Sequence, residues 1–309
     1  MNFTNKDVMK LREQTGVGMM DCKKALVETD GNFDEAVKYL REKGMASAAK
    51  KASRVAAEGL VKCLISDDKK TGVAIEINCE TDFVARSDQF IALIDNLARH
   101  LLSSNANTVE ELLAENYFAD NSKTISVLIA EATAAIGEKI SLRRFTKFAL
   151  TEGGIVASYI HMGGKIGVLA ELKSSANQAD LQELAFNICM QIAASKPTVI
   201  AIEDCDPTAL EAEREILTVQ ARNEGKPEAV ITKMVEGRIH KYYKEVCLLE
   251  QEYVREPSMS VKQVIKDVEK STGASVTVSR FVRYEMGEGI EKRVDNFVDE
   301  IAEQMKNIK

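Results

Sequence analysis

Gly59-Leu60-Val61 through Gly72-Val73-Ala74-Ile75-Glu76-Ile77 returns without gaps as Gly154-Ile155-Val156 through Gly167-Val168-Leu169-Ala170-Glu171-Leu172, an offset of 95 residues. Its apolar period is two: Val73, Ile75, Ile77 and Cys79 share one face and Ala74, Glu76 and Asn78 the other, the alternation of a half-buried strand. Next, Phe90, Ile91, Leu93, Ile94, Leu97, Ala98 and Leu101 take helical spacing, and the second copy answers with Leu181, Leu184, Ala185, Ile188, Cys189, Ile192 and Ala193. Each copy therefore reads as a strand hairpin covered by a helix, an α+β layered arrangement built by duplication.

A third strand extends the match at a different offset. Leu142-Arg143-Arg144-Phe145-Thr146-Lys147-Phe148 resembles Val278-Ser279-Arg280-Phe281-Val282-Arg283-Tyr284, 136 residues on, so the second copy holds an insertion of 41 residues. The stretch from Pro207 to Cys247 has two polar helical patterns hinged at Asn223-Glu224-Gly225-Lys226-Pro227, which predicts a projecting antiparallel helical hairpin. Too few apolar residues line it for an independent domain, so it is expected to meet another surface, a partner's or a second copy's.

At the N-terminus, helical patterns broken at Gly16-Val17-Gly18 and Asp30-Gly31-Asn32 predict three short helices over 4–43, followed by an Ala-rich helical or flexible connector from Met45 to Ala57. The expected organisation is a three-helix module and linker over 1–56, core subdomains over 57–150 and 151–286 with the hairpin inserted at 207–247, and a C-terminal amphipathic helix within 287–309.

Composition narrows the function. In 309 residues, 45% apolar, no run approaches membrane-spanning length, and the opening Met1-Asn2-Phe3-Thr4-Asn5-Lys6-Asp7 has neither signal nor transit character, so a cytoplasmic chain is expected. Net charge of −7 opposes binding to phosphate backbones and favours a protein partner over nucleic acid. Six scattered cysteines without a C-x-x-C pair, and three histidines, argue against a disulfide framework, a metal site or a cofactor site.

Signatures of catalysis are absent: no P-loop, no G-x-S-x-G, no H-E-x-x-H. Cys79 with His161 would be the one nucleophilic pair to consider, but a strand cysteine is ordinarily a buried, inert thiol. More informative is Thr81-Asp82-Phe83-Val84, which the second copy replaces with Ala176-Asn177-Gln178-Ala179. Phe83 and Val84 could fill the core under the next helix, yet the second copy needs no such filling. An acid beside an exposed aromatic suits insertion into a partner, the ring as anchor and the carboxylate as acceptor.

At these residues the chain resembles the bacterial elongation factor Ts family. Leu11-Arg12-Glu13-Gln14-Thr15-Gly16-Val17-Gly18-Met19-Met20-Asp21-Cys22-Lys23-Lys24-Ala25-Leu26 is similar to the family's N-terminal signature, and Asn78 to Arg86 to its central one. Ser195-Lys196-Pro197, Gly225-Lys226-Pro227 and Met286-Gly287-Glu288-Gly289 match further landmarks. The resemblance implies a ubiquitin-associated-like N-terminal fold and a guanine-nucleotide exchange factor for the GTPase elongation factor Tu, without covalent chemistry. It implies that Thr81, Asp82, Phe83 and Val84 enter the GTPase near its magnesium. Arg12, Met19 and Met20 would grip the nucleotide-binding domain, and Ile136, Gly137 and His161 would lie on the core contact surface. The hairpin would be a coiled-coil contact or dimerisation arm. A plain adaptor that leaves nucleotide state unchanged, and a Cys79-dependent hydrolase, are the competing readings.

Overall fold

Strand alternation, helix caps and the duplication together produce two small antiparallel sheets packed face to face. A computed structural model describes residues 2–291. In chain order its elements are α1 (Asn5–Thr15), α2 (Met19–Glu28), α3 (Phe33–Lys51), β1 (Glu58–Ile65), β2 (Thr71–Cys79), α4 (Asp82–Ala85), α5 (Asp88–Ser103) and α6 (Val109–Ala114). Then come β3 (Asn116–Tyr117), β4 (Asp120–Thr124), α7 (Ile125–Ile136), β5 (Ser141–Ala149), β6 (Gly154–His161), β7 (Ile166–Ser174) and α8 (Gln178–Ser195). The chain continues through α9 (Pro207–Asn223), α10 (Glu228–Val246), β8 (Glu252–Tyr253), β9 (Glu256–Ser260), α11 (Val261–Thr272) and β10 (Val276–Glu285).

The sheets run β1-β2-β5 and β10-β7-β6, the same topology with the same register. Gly59 faces Asn78 as Gly154 faces Lys173, and Ile75 faces Phe145 as Ala170 faces Phe281. Even the irregularity repeats: the register slips at Arg143 in one sheet and at Ser279 in the other. Gly59 and Gly154 hold φ of 143° and 141°, and an added Cβ would stand 2.2 Å and 2.1 Å from the carbonyl oxygens of Ile77 and Leu172, so both places demand glycine.

α5 covers the outer face of the first sheet and α8 that of the second, each over its own apolar core. The inner faces meet in a third core of Val61, Cys63, Ala74, Phe148, Val156, Leu169 and Tyr284. Contacts across it are reciprocal under both offsets. The Arg144 guanidinium lies 4.2 Å from the Tyr284 ring centre and that of Arg280 lies 4.3 Å from the Phe148 ring centre. Likewise Gly72 lies under Val156 and Gly167 under Val61.

This packing corrects the expectation that β2 would be half-buried. Ala74, Glu76 and Asn78 are as enclosed as Val73, Ile75 and Ile77, because a second sheet stands where water was expected. Glu76 survives there by pairing: its carboxylate accepts from Arg143 at 2.9 Å, Arg144 at 2.6 Å and the Gly287 N–H at 2.8 Å. Its counterpart Glu171 accepts from Ser279 at 2.6 Å and Arg280 at 2.7 Å. The repeat also reaches further back than the matched third strand. Asn116–Tyr117 with Asp120–Thr124 forms a bridge that recurs as Glu252–Tyr253 with Glu256–Ser260, and the helix after each ends on a left-handed glycine, Gly137 or Gly273.

The N-terminal helices close their own core of Val8, Leu11, Cys22, Ala25, Leu26, Ala36 and Leu40, with a Thr4/Asp7 capping box opening α1. α3 continues to Lys51, so much of the expected connector is helix, and it packs on α7 through Gly44, Ala130, Ala134 and the Arg41–Glu131 ion pair at 3.0 Å. α9 and α10 lie against each other around Ala221, Ile231, Val235 and Ile239, leaving Ile216, Val219 and Val230 exposed. The amphipathic pattern expected after Met286 reaches its described part at Ile290 and Glu291; Val294, Phe297, Val298 and Ile301 lie outside the described residues. Among the described residues no helix is long and apolar enough to cross a membrane.

Candidate functional site

The turn after β2 is where the two copies part. In the second, β7 runs through three residues into α8, whose N-cap is Asn177. In the first, Thr81 caps a single helical turn, α4, and Ser87 then caps α5 separately. Successive residues of that turn point about 100° apart. Ala85 is buried, Val84 packs partly on the core, and the Phe83 side chain is thrown outward, 83% exposed and the most exposed large apolar residue described. The sequence favours exposure of both Phe83 and Val84; Phe83 is exposed, whereas Val84 is half-buried because the helical turn lays it against the core.

The base of the turn is held by hydrogen bonds. Thr81 Oγ1 accepts from the Val84 N–H at 3.3 Å and donates to Glu138 Oε1 at 2.7 Å. Glu138 Oε2 accepts the N–H groups of Glu80 and Thr81 at 3.1 Å and 3.0 Å. In return the Lys139 N–H donates to Glu80 Oε1 at 2.6 Å, and Arg54 pairs with the same carboxylate at 3.1 Å. Asp82 pairs with Arg86 at 3.0 Å on the surface. Glu80 and Asp82 thus have separate partners. Glu138 and Lys139 escaped the sequence reading, although Glu138 directly follows Gly137, which was singled out.

The other candidates lie on segments that adjoin the elements around this turn. Glu138 follows the left-handed Gly137 that ends α7, beside half-buried Ile136. A Cβ on Gly16 would stand 3.8 Å from the Ala135 Cβ, so the α1–α2 turn lies against the last turn of α7. Met19 and Met20 open α2 just beyond it, exposed by 39% and 74%, and the exposed Arg12 lies in the last turn of α1, its carbonyl accepting from Gly16. On the other side α4 rests on β1, which also carries the β6–β7 turn: the Val61 N–H donates to the Gly164 carbonyl at 2.8 Å. His161, at the edge of that turn, is exposed, with Nδ1 3.1 Å from the Tyr159 hydroxyl.

Cys79 is unsuited to nucleophilic work. It is fully buried, its thiol donates to the Thr81 carbonyl at 3.2 Å, and burial, aided by the Glu138 charge, pushes its pKa up to about 12. His161 faces solvent with a tyrosine partner. The exposed candidates are an aromatic ring, two thioethers and a guanidinium, side chains suited to binding a protein rather than to covalent chemistry.

A family model described as "Elongation factor TS" matches residues 80–288. A curated protein named elongation factor Ts from Clostridium perfringens (strain SM101 / Type A) is 52% identical over 300 residues, covering 97% of this chain and 98% of its own. One of the same name from Clostridium botulinum (strain Eklund 17B / Type B) is 52% identical over the same shares, and one from Clostridium botulinum (strain ATCC 19397 / Type A) is 50% identical over 97% of each chain.

Proposed function

Because the chain belongs to the elongation factor Ts family, we propose that it drives GDP off the GTPase elongation factor Tu by inserting the Asp82-Phe83 corner near the partner's magnesium and phosphates. The observation that carries this reading is Phe83, 83% exposed on a turn whose base is held through Thr81 by Glu138. Magnesium bridges nucleotide phosphates and offsets their charge, so displacing its ligands weakens the whole nucleotide site without touching the base. No bond is made or broken by the factor.

Magnitudes decide how many contacts are required. A ten-thousand-fold shift between bound and empty partner needs a differential of about 5.5 kcal/mol. Burying one phenylalanine or methionine side chain supplies about 1.5 to 3 kcal/mol. Phe83 is insufficient alone. Scaled by their exposures of 83%, 39% and 74%, Phe83, Met19 and Met20 together offer about 3 to 6 kcal/mol, which meets the requirement only at its upper end, so further contacts favouring the opened partner are needed. In this reading Arg12, Met19 and Met20, on a ubiquitin-associated-like module spanning 1–56, hold the nucleotide-binding domain, and Ile136, Gly137 and His161 complete the core contact. The hairpin is an arm for a partner or a second copy, which the exposed Ile216, Val219 and Val230 support.

Coupling is reciprocal: a factor that loosens GDP is itself expelled when nucleotide and magnesium return. The test is stopped-flow release of a fluorescent GDP analogue from magnesium-loaded elongation factor Tu, with and without the chain. Acceleration that excess magnesium suppresses supports the proposal. Binding of the chain with no change in release rate would make it an adaptor instead.

A further inference from the structure

The first offset carries Glu80-Thr81-Asp82-Phe83 to Ser175-Ala176-Asn177-Gln178. The second carries Gly137-Glu138-Lys139 to Gly273-Ala274-Ser275. Both glycines end a helix in the left-handed conformation, yet the carboxylate that follows Gly137 is replaced by a methyl after Gly273. Clamp and clamped turn thus occur together in one repeat and are missing together from the other. The scaffold folds without them, so the pair serves something other than the scaffold.

We propose that Glu138 is a positioning residue for nucleotide exchange: its carboxylate gathers the Glu80 N–H, the Thr81 N–H and the Thr81 hydroxyl, and so holds Phe83 outward in the conformation that enters the partner. This rests on the exchange reading above. Three donors converge on two oxygens, each bond strengthened by the acceptor's charge. Donation to Glu138 also turns the Thr81 hydroxyl so that its lone pairs face the Val84 N–H, which makes the α4 cap depend on Glu138. The reciprocal Lys139 N–H bond to Glu80 fixes the spacing of the two backbones. A ring held ready in the free factor need not be ordered at the moment of insertion.

Removing the carboxylate leaves both N–H groups to water and frees the hydroxyl. Phe83 keeps its exposure but loses its fixed direction. The effect belongs on the rate of the magnesium-displacing step rather than on encounter, which the N-terminal module and the remaining core contacts still provide.

The experiment is a double-mutant cycle in the full chain, read as the maximal rate of fluorescent GDP release at saturating factor and, separately, as the concentration giving half-maximal release. Glu138→Ala should lower the maximal rate about tenfold with the half-maximal concentration changed by less than about threefold. Combined with Phe83→Ala it should add almost nothing to Phe83→Ala alone, because both act through one ring. Glu138→Gln, which still presents an acceptor to the two N–H groups and an amide donor to Thr81 Oγ1, should recover most of the rate and guards against misfolding of the alanine variant. If Phe83→Ala slows release and Glu138→Ala does not, or if their effects multiply, the positioning role is overturned while the exchange reading stands. If Phe83→Ala itself leaves the rate unchanged, both fall.

Discussion

Replacing Glu76 by Gln removes a charge that is fully buried at the joint between the two sheets, and the structure sets the size of the effect. Its carboxylate is inaccessible to solvent, while Arg143 and Arg144 keep 25% and 28% of their side-chain surface. Removing one member of a fully buried ion pair costs about 3 to 5 kcal/mol. Here the guanidiniums can recover water, and Arg144 retains Glu288 at 3.2 Å and the Tyr284 ring, so about 2 to 3 kcal/mol is expected. Burial pushes the Glu76 carboxyl up, but the Gly287 N–H and the two guanidiniums outweigh it and hold it below the ordinary value. A lowered folded-state pKa means the contribution is full at neutral pH and is lost as pH falls from about 4.3, the unfolded value, through the folded one. Thermal unfolding of wild type and Glu76→Gln at pH 7 should therefore differ by roughly 3 to 6 °C, with the gap narrowing below about pH 4. Glu171→Gln, with one guanidinium partner left 45% exposed, should cost less. A Glu76→Gln melt that matches wild type at pH 7, or a deficit unchanged down to pH 3, would refute this account of the joint.

Two further outcomes follow from the same packing. A Cβ on Gly167 would lie 2.4 Å from Val61 Cγ1, so Gly167→Ala should lower stability by about 1 to 3 kcal/mol, and Val61→Ala in that background should restore part of it, both measured by thermal unfolding. Of the six cysteines only Cys205 is not buried, while burial pushes Cys63, Cys79 and Cys247 up to about 12. Alkylation of the native chain at pH 8 should then add its first label at Cys205, as read by peptide mass spectrometry. First labelling at Cys79 would contradict the buried-thiol assignment.

The duplication was legible because strands, turns and glycines must recur where the backbone recurs, and the same 95-residue offset relates the two hairpin registers in the structure. The 41-residue difference located the helical hairpin for the same reason. What alternation cannot reveal is the identity of the second face's neighbour. A strand that exposes Ala74, Glu76 and Asn78 and one that presses them against another sheet read alike, unless the arginines that neutralise Glu76 are paired with it in advance. Those lie 67 and 68 residues away, in a strand matched only as part of the repeat. The earlier portion of the second offset, from Asn116, stayed hidden because its shared signal is little more than Tyr117 against Tyr253 and the glycine caps. Phe83 stood out by contrast with its counterpart Gln178. Glu138 invites the same contrast with Ala274, but its meaning depends on the fold bringing it to Thr81, 57 residues back.

The claim on which the functional reading rests is that the outward ring of Phe83 is a necessary part of the exchange contact. Fluorescent GDP release from magnesium-loaded elongation factor Tu, measured side by side at saturating wild type and Phe83→Ala, addresses it directly. With 83% of the residue exposed, most of a phenylalanine's burial energy of about 1.5 to 3 kcal/mol is at stake, so the mutant should be roughly ten- to sixty-fold slower. Equal maximal rates would contradict the proposed insertion of the Asp82-Phe83 corner.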